Sequence, residues 1–158
     1  MVEPKGLDEQ FDEEFEFDGS DVDEDGGFPV ASEGRHPAIV IDIFMDESQE
    51  GNDMYVWDFL IIGGEDEGIE VRDWTSLLPT ARWRVADYLR ACGIDAYGKV
   101  VNFKKSDVVG SPVYIEVEHR ERDGKTRDDV EDIYEPDEDL KELAESYKEG
   151  GQDDDVPF

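Results

Sequence analysis

Aromatic rings and cations recur within the same predicted strands of this chain. Residues 54–62 (MYVWDFLII) are dense in aromatic and β-branched side chains, and residues 68–75 (GIEVRDWT) place Trp74 two positions after Arg72. Exposed rings stack on unpaired nucleobases, at about 1–3 kcal/mol per base, while cations neutralise phosphates. The pattern therefore indicates a surface suited to a single-stranded nucleic acid.

Strand alternation assigns these side chains to faces. In residues 68–75, Ile69 and Val71 are expected in the core, which leaves Arg72 and Trp74 on the outer face. In residues 38–45 (AIVIDIFM) the isoleucines are expected inside and Phe44 outside. Residues 54–62 are apolar at both parities; we predict their aromatic rings outward, with burial of each ring as the alternative. The predicted base-stacking residues are Phe44, Tyr55, Trp57, Phe59 and Trp74.

Four cations gather around Asp123-Gly124, a dipeptide typical of a two-residue β-hairpin turn. In small β-barrels such a hairpin often lines an oligonucleotide groove. Further cations follow the predicted helix. The predicted phosphate-contacting residues are Arg72, Lys104, Lys105, Arg120, Arg122, Lys125 and Arg127.

The elements that would position these residues can be read from periodicity. Strands are predicted at 38–45, 54–62, 68–75, 112–122 and 125–134, and residues 80–93 (TARWRVADYLRACG) carry apolar residues at helical spacing before a terminal Gly93. The order is β-β-β-α-β-β. We therefore expect a mainly β fold, a five-stranded OB-fold barrel.

Charge divides the chain into three parts. The formal net charge is -30, and residues 1–27 hold twelve acids and one base, while residues 137–158 hold nine acids and two bases. Such ends are typical of disorder. We predict an acidic, largely disordered N-terminal arm at 1–27, a nucleic-acid-binding domain at 28–136, and an acidic, largely disordered tail at 137–158.

The last six residues, DDDVPF, resemble the C-terminal tip of bacterial single-stranded-DNA-binding proteins, in which an acidic run ends in an aliphatic residue, Pro and Phe. A terminal Phe presents its ring and its α-carboxylate together, which suits an apolar pocket beside a cation. Gly150-Gly151-Gln152 is expected to be a flexible tether. The predicted partner-docking residues are Asp153, Asp154, Asp155, Val156, Pro157 and Phe158.

The body also resembles a family of phage-encoded single-stranded-DNA-binding proteins. The resembling segments are FPVASEGRHPAIV, WTSLLP, ARWRVADYLRACGID and VVGSPVYIEVEHRERDGKTR, and the body that contains them covers about two-thirds of the chain. The resemblance implies an OB-fold that binds and protects single-stranded DNA in replication, recombination and repair. The tip would recruit the DNA-processing proteins.

Other sequence features bear on the location of the protein, on metal binding and on the competing functions. A single cysteine and the lack of an apolar span or signal peptide predict a cytoplasmic protein. An incomplete D-x-D-x-D-G segment at 21–26 and two distant histidines predict no metal site, and no cofactor is expected. The main alternative is an acidic DNA mimic or adaptor that inhibits or recruits a host DNA-processing enzyme. A nuclease ranks last, because the acids lack convergent spacing; the protein is predicted not to be an enzyme.

Overall fold

A computed structural model describes residues 14–18, 20 and 29–153, the side chains at 122 and 150–153 excepted. In this part of the chain five strands and the first helix follow the predicted order, and two further helices, at Lys105–Val108 and Glu138–Asp153, were not predicted. The elements are β1 (Gly34–Glu47), β2 (Asp53–Ile61), β3 (Glu70–Ser76), α1 (Arg82–Ala91), α2 (Lys105–Val108), β4 (Pro112–Arg122), β5 (Lys125–Tyr134) and α3 (Glu138–Asp153).

The strands form one antiparallel sheet in the order β3-β2-β1-β4-β5. The first half of β1 pairs with β4 and most of its length pairs with β2, so β1 is the central strand. The edge strands β3 and β5 approach each other, with some Cα atoms within 8 Å. Within the described part of the chain no hydrogen-bonded ladder joins them, and the sheet is open there.

A register irregularity between Val40 and Asp42 changes which side chains of β1 face the core. Val40 and Ile43 both lie in the main core, although they are three positions apart. Ile39 and Ile41 lie on the opposite face of the sheet. The prediction that the three isoleucines share one inner face was therefore wrong for Ile39 and Ile41, because a bulge inserts a residue into the alternation.

The main core lies between the sheet and α1, and it contains two of the rings predicted to be exposed. Trp57 and Phe59 are fully buried and meet the Tyr88 ring edge-on, at centroid distances of 5.1 and 6.0 Å. The Trp57 indole donates a hydrogen bond to Thr75 Oγ1 at 2.8 Å. The outward prediction for Trp57 and Phe59 was wrong, because α1 covers this face of β2 and both rings supply its packing partners.

The opposite face of the sheet is partly covered by α3. Leu140 and Ala144 of α3 are buried against a second apolar cluster that includes Ile39, Leu60 and Ile62. The Asp137 carboxylate accepts hydrogen bonds from the Leu140 amide and from the Tyr114 hydroxyl, both at 2.9 Å. The prediction of a largely disordered tail was wrong for Glu138–Asp153, because an apolar stripe docks this helix and Asp137 caps it.

Candidate nucleic-acid interface

The outer face of β1, β2 and β3 carries an aromatic row beside a charged row. Backbone register places Trp74 opposite Val56 and Val56 opposite Phe44, and the next row contains Arg72. The Trp74 side chain is 42% exposed, Phe44 is half-buried, and the Arg72 guanidinium lies 5.3 Å from the Phe44 ring centroid. This confirms the predicted outward facing of all three residues.

The cations of this face are paired with carboxylates. Arg72 donates two hydrogen bonds to Asp58, at 2.7 and 3.0 Å, and this contact raises the pKa of Arg72. Lys105 Nζ lies 2.8 Å from Asp42 Oδ1, and its hydrogen bond lowers the pKa of Asp42. Exposed pairs of this kind contribute roughly 0–1 kcal/mol. A phosphate could therefore compete with Asp42 for Lys105 at small cost, whereas Arg72 is held by two hydrogen bonds to Asp58, whose side chain is only 17% exposed.

A groove of about 330 Å³ continues from this face around the end of β1. Its wall contains Tyr55, which is half-buried and meets Phe103 edge-on at 6.1 Å. Met45, on its rim, is 58% exposed. Tyr55 thus lines the groove, but the prediction that it faces outward was wrong, because it lies on the same side of β2 as Trp57 and Phe59 and packs against the main core. Met45 and Phe103 were not among the predicted site residues, since Met45 shares the parity of the isoleucines predicted inside and Phe103 lies outside the predicted elements.

The short helix α2 positions the two predicted lysines at the groove. The Lys104 amide donates a hydrogen bond to Asp107 Oδ2 at 2.8 Å, which closes the first turn. Lys104 and Lys105 are both exposed, and Lys105 lines the groove itself. Among the described residues Lys104 has no ion pair, so its charge is available to an anion.

The β4-β5 hairpin presents the second group of predicted cations. Asp123 and Gly124 have φ values of 54° and 77°, as a two-residue type I′ turn requires. Arg120 pairs with Arg127 across the ladder, and the backbone of Arg122 pairs with that of Lys125. Arg120 contacts Asp129 at 3.1 Å, whereas Lys125 and Arg127 are exposed and form no ion pair with any described residue.

The two groups of cations lie at opposite ends of the central strand. Gly34, at the start of β1, pairs with Val117 near the hairpin, and Phe44 follows ten positions later. At a rise of about 3.3 Å per residue, roughly 33 Å of strand separates Gly34 from Phe44. The structure therefore brings together Phe44, Arg72 and Trp74, and separately gathers the hairpin cations.

Three further aromatic residues of the described surface, Tyr114, Tyr134 and Trp83, were not among the predicted site residues. The Arg35 guanidinium lies 3.8 Å from the Tyr134 ring centroid and 6.0 Å from that of Tyr114. Trp83 on α1 is 63% exposed, more than any other described tryptophan. Alternation in PVYIEV does place Tyr114 outward, but no local signal links it to Arg35, because that contact depends on the pairing of β1 with β4.

The partner-docking prediction falls largely outside the described residues. Asp153 is the last residue of α3, and residues 154–158, which include Asp154, Asp155, Val156, Pro157 and Phe158, are not described. The tether at 150–152 is part of the helix rather than a coil.

Fold and surface together define a small, mainly β protein with an aromatic and cationic sheet face and a basic hairpin. The chain belongs to the family described as "Protein of unknown function (DUF669)", which matches residues 15–145. No curated protein matches the chain. The helices of the described region are too short or too polar to cross a membrane. In the same region no group of three His, Cys, Asp or Glu side chains could hold a metal ion.

Proposed function

We propose that this protein binds single-stranded DNA and recruits DNA-processing proteins through its C-terminal tip. The observation that carries the proposal is the exposed Trp74, in one row with Phe44 and adjacent to Arg72, on the outer face of an antiparallel sheet. A solvent-exposed indole beside a guanidinium offers a base a π-surface and its phosphate a cation.

An OB-fold is the architecture that we infer for the domain. The central β1 pairs with both β2 and β4, and a helix lies between β3 and β4, as in that fold. Arg84 supports closure, since its guanidinium contacts the Trp74 carbonyl of β3 at 3.5 Å and also reaches the Val130 carbonyl of β5. OB-folds bind oligonucleotides on the sheet face that holds strands two and three, where Trp74 lies.

The cations of the β4-β5 hairpin support phosphate binding, because their placement on neighbouring strands is itself destabilising. Like charges directly opposite each other on neighbouring strands destabilise a sheet. Arg120 lies opposite Arg127 in the ladder, which places one such pair beside the turn. A polyanion would relieve this repulsion, and the release of its counterions would make the affinity salt-dependent.

Recruitment is proposed from the sequence of the tip. DDDVPF combines a terminal ring and carboxylate with a conformationally restricted Pro157, which lowers the entropy cost of docking. Its acidic residues would steer it toward a basic rim on the partner. The resemblance to phage-encoded and bacterial proteins suggests partners in replication, recombination and repair.

Intrinsic fluorescence tests the DNA-binding proposal. Trp57 is buried, whereas Trp74 and Trp83 are exposed, so two single substitutions separate the signals. We expect an oligo-dT titration to quench the wild-type protein and Trp83→Phe, but to have little effect on Trp74→Phe, and an equal-length duplex to bind far more weakly. Absence of binding to either DNA, checked by anisotropy of labelled oligonucleotide, would rule the proposal out.

A DNA mimic is the second candidate, and one feature of the hairpin favours it. Glu118 lies close enough to Glu131 to raise the pKa of Glu131. Six carboxylates of β4 and β5 occupy the strands between the basic turn and the tyrosines: Glu116, Glu118, Asp128, Asp129, Glu131 and Asp132. A protein that fails to bind oligo-dT but competes with DNA for a DNA-processing enzyme would support this alternative.

A further inference from the structure

We infer that the groove beside Phe44 is a base pocket, in which one unpaired base of the bound strand packs against rings and hydrogen-bonds to Asn102. The inference rests on the proposed function and extends it from stacking on the open sheet face to recognition of a base in a cavity. The volume of the groove is about 330 Å³. Ligand pockets span roughly 300–1,000 Å³, so a groove of this size suits a single base.

Phe44 connects the groove with the exposed row of the sheet. Its ring lines the groove, and its backbone lies in register with Val56 and Trp74 on the neighbouring strands. Neighbouring strands are about 4.8 Å apart, so roughly 10 Å separates the backbones of Phe44 and Trp74. A strand of DNA that stacks a base on Trp74 would therefore bring one of its next bases to the groove.

The walls of the groove are apolar and partly open. Tyr55 and Phe103 meet edge-on and are both half-buried, so the protein encloses neither ring completely. Met45 on the rim is 58% exposed, and its flexible thioether can adjust to a flat ring. Rings and a polarizable thioether are suited to contact with the face of a base. The groove thus offers a base apolar contact from more than one side.

Two polar side chains of the groove have no hydrogen-bond partner among the described residues. Val101 and Phe103 are half-buried against the main core, and Asn102 between them is exposed with an unbonded amide. The Tyr55 hydroxyl is also unbonded, and it reaches solvent, since the described part of the chain buries no unpaired polar side-chain atom. An asparagine amide presents a donor and an acceptor together, which matches the paired groups on the edge of a base.

The charge of the groove favours an anionic ligand, although the net charge of the chain is -30. Among the described residues its lining includes Lys105 and no carboxylate. The larger groove of the described region, of about 550 Å³, is lined by Glu135 and Glu145 together with cations. Lys105 pairs with Asp42 at 2.8 Å, but the two side chains are 57% and 42% exposed, so a phosphate can compete for the lysine.

Photochemical cross-linking of the full-length protein tests where the base lies. Oligo-dT with some thymines replaced by 5-iodouracil is bound and irradiated, which couples the base to side chains in contact with it. We expect mass spectrometry to find the base on Tyr55 or Phe103, in addition to Trp74. Trp83, the most exposed tryptophan of the described region, is the control that should not couple. Coupling confined to Trp74 and Phe44 would overturn the base pocket.

Two strands of equal length and charge separate base contacts from phosphate contacts: oligo-dT and an abasic strand of tetrahydrofuran sugars. Asn102→Ala should weaken the binding of oligo-dT about tenfold and leave the abasic strand unaffected, because it removes groups that meet a base. Lys105→Gln should weaken the binding of both strands, because its charge meets a phosphate. Val100→Ala, at a position 95% exposed and outside the groove, is the matched control and should change neither affinity. Equal losses for both strands in Asn102→Ala would overturn the inference.

The base pocket can fail while the proposed function stands. If oligo-dT binds and quenches Trp74 but Asn102→Ala binds it as tightly as the wild type, single-strand binding stands and the base pocket is overturned. If the full-length protein binds neither oligo-dT nor the abasic strand, the proposed function falls and the base pocket falls with it.

Discussion

The hydroxyl of Tyr88 donates a hydrogen bond to the carboxylate of Asp73, and both side chains are buried. Arg84 joins this pair, with its guanidinium 3.0 Å from Asp73 Oδ2 and 2.9 Å from the Tyr88 oxygen. The same guanidinium reaches the Val130 carbonyl. A single network thus connects α1 with both edge strands of the sheet, β3 and β5.

Removal of the Tyr88 hydroxyl tests the contribution of this network to stability. Tyr88→Phe leaves a buried carboxylate with one donor fewer, and we expect the free energy of unfolding in urea to fall by about 1–3 kcal/mol. Tyr97→Phe is the matched control, because Tyr97 also contacts an aspartate, Asp87, but at the surface. Similar losses in the two variants would contradict a special role for the buried network.

The pH dependence of the free energy of unfolding should reflect the protonation of Asp73. Burial raises the pKa of Asp73 above 3.8, in opposition to the contacts with Arg84 and Tyr88. The folded protein then holds this proton more tightly than the unfolded chain, so this group's stabilising contribution is lost as the pH rises from 3.8 through the folded pKa. Asp73→Asn removes that loss.

We therefore expect the stability of the wild type, relative to Asp73→Asn, to decrease between acid and neutral pH in urea titrations. Asp66→Asn is a useful contrast, since the Ser32 hydroxyl lowers the pKa of Asp66. Its stabilising contribution should be lost as the pH falls, which is the opposite sign. A wild-type minus Asp73→Asn difference that stays constant with pH would contradict the assignment.

Local periodicity was sufficient to predict most of the sheet. The predicted fifth strand coincides with Lys125–Tyr134, and the outer facing of Arg72 and Trp74 is confirmed, because β3 alternates cleanly and only one of its faces is covered. The prediction failed in β2, where both parities are apolar. Trp57 faces α1 while Leu60 faces α3, so both faces are buried and alternation carries no information about which is outside.

The acidic composition of residues 137–158 led to a prediction of disorder where α3 forms. Leu140, Ala144 and Tyr147 recur at helical spacing and pack on or belong to one cluster, yet the surrounding acids favoured a prediction of disorder. Contacts between distant segments could not be predicted from the sequence either. Arg35 against Tyr134 and Ala31 against His119 both depend on strand register, which no local pattern specifies.

The thiol of Cys92 should react slowly in the folded protein. Burial raises the pKa of Cys92 from 9.0 to about 11, and the thiolate is the reactive form. At a pH two units below the lower value, the thiolate fraction is about 100-fold smaller than for an ordinary thiol. We expect iodoacetamide to alkylate the native protein at least that much more slowly than the urea-unfolded chain. Equal rates would show that Cys92 is accessible and ordinary.

The salt dependence of oligo-dT binding should report the hairpin cations. Each phosphate contact to a single strand contributes about 0.7 to the slope of log affinity against log salt. Lys125→Gln/Arg127→Gln should therefore reduce the slope by about 1.4. Lys99→Gln/Lys141→Gln changes the charge equally but away from the hairpin, at residues already paired with Asp95 and Glu138. The slope of this control variant should stay at the wild-type value. An equal reduction in both variants would show that Lys125 and Arg127 do not contact the DNA.

The docking of α3 can be tested at its most buried residue. Leu140→Ala should lower the free energy of unfolding by about 2–5 kcal/mol, because it leaves a cavity between the helix and Leu60. Leu143→Ala, at a position 37% exposed, should cost much less. If α3 detaches rather than the whole domain unfolding, helical signal in circular dichroism will be lost below the main transition for Leu140→Ala alone. Wild-type stability in that variant would mean that the docking of α3 contributes nothing to the stability of the domain.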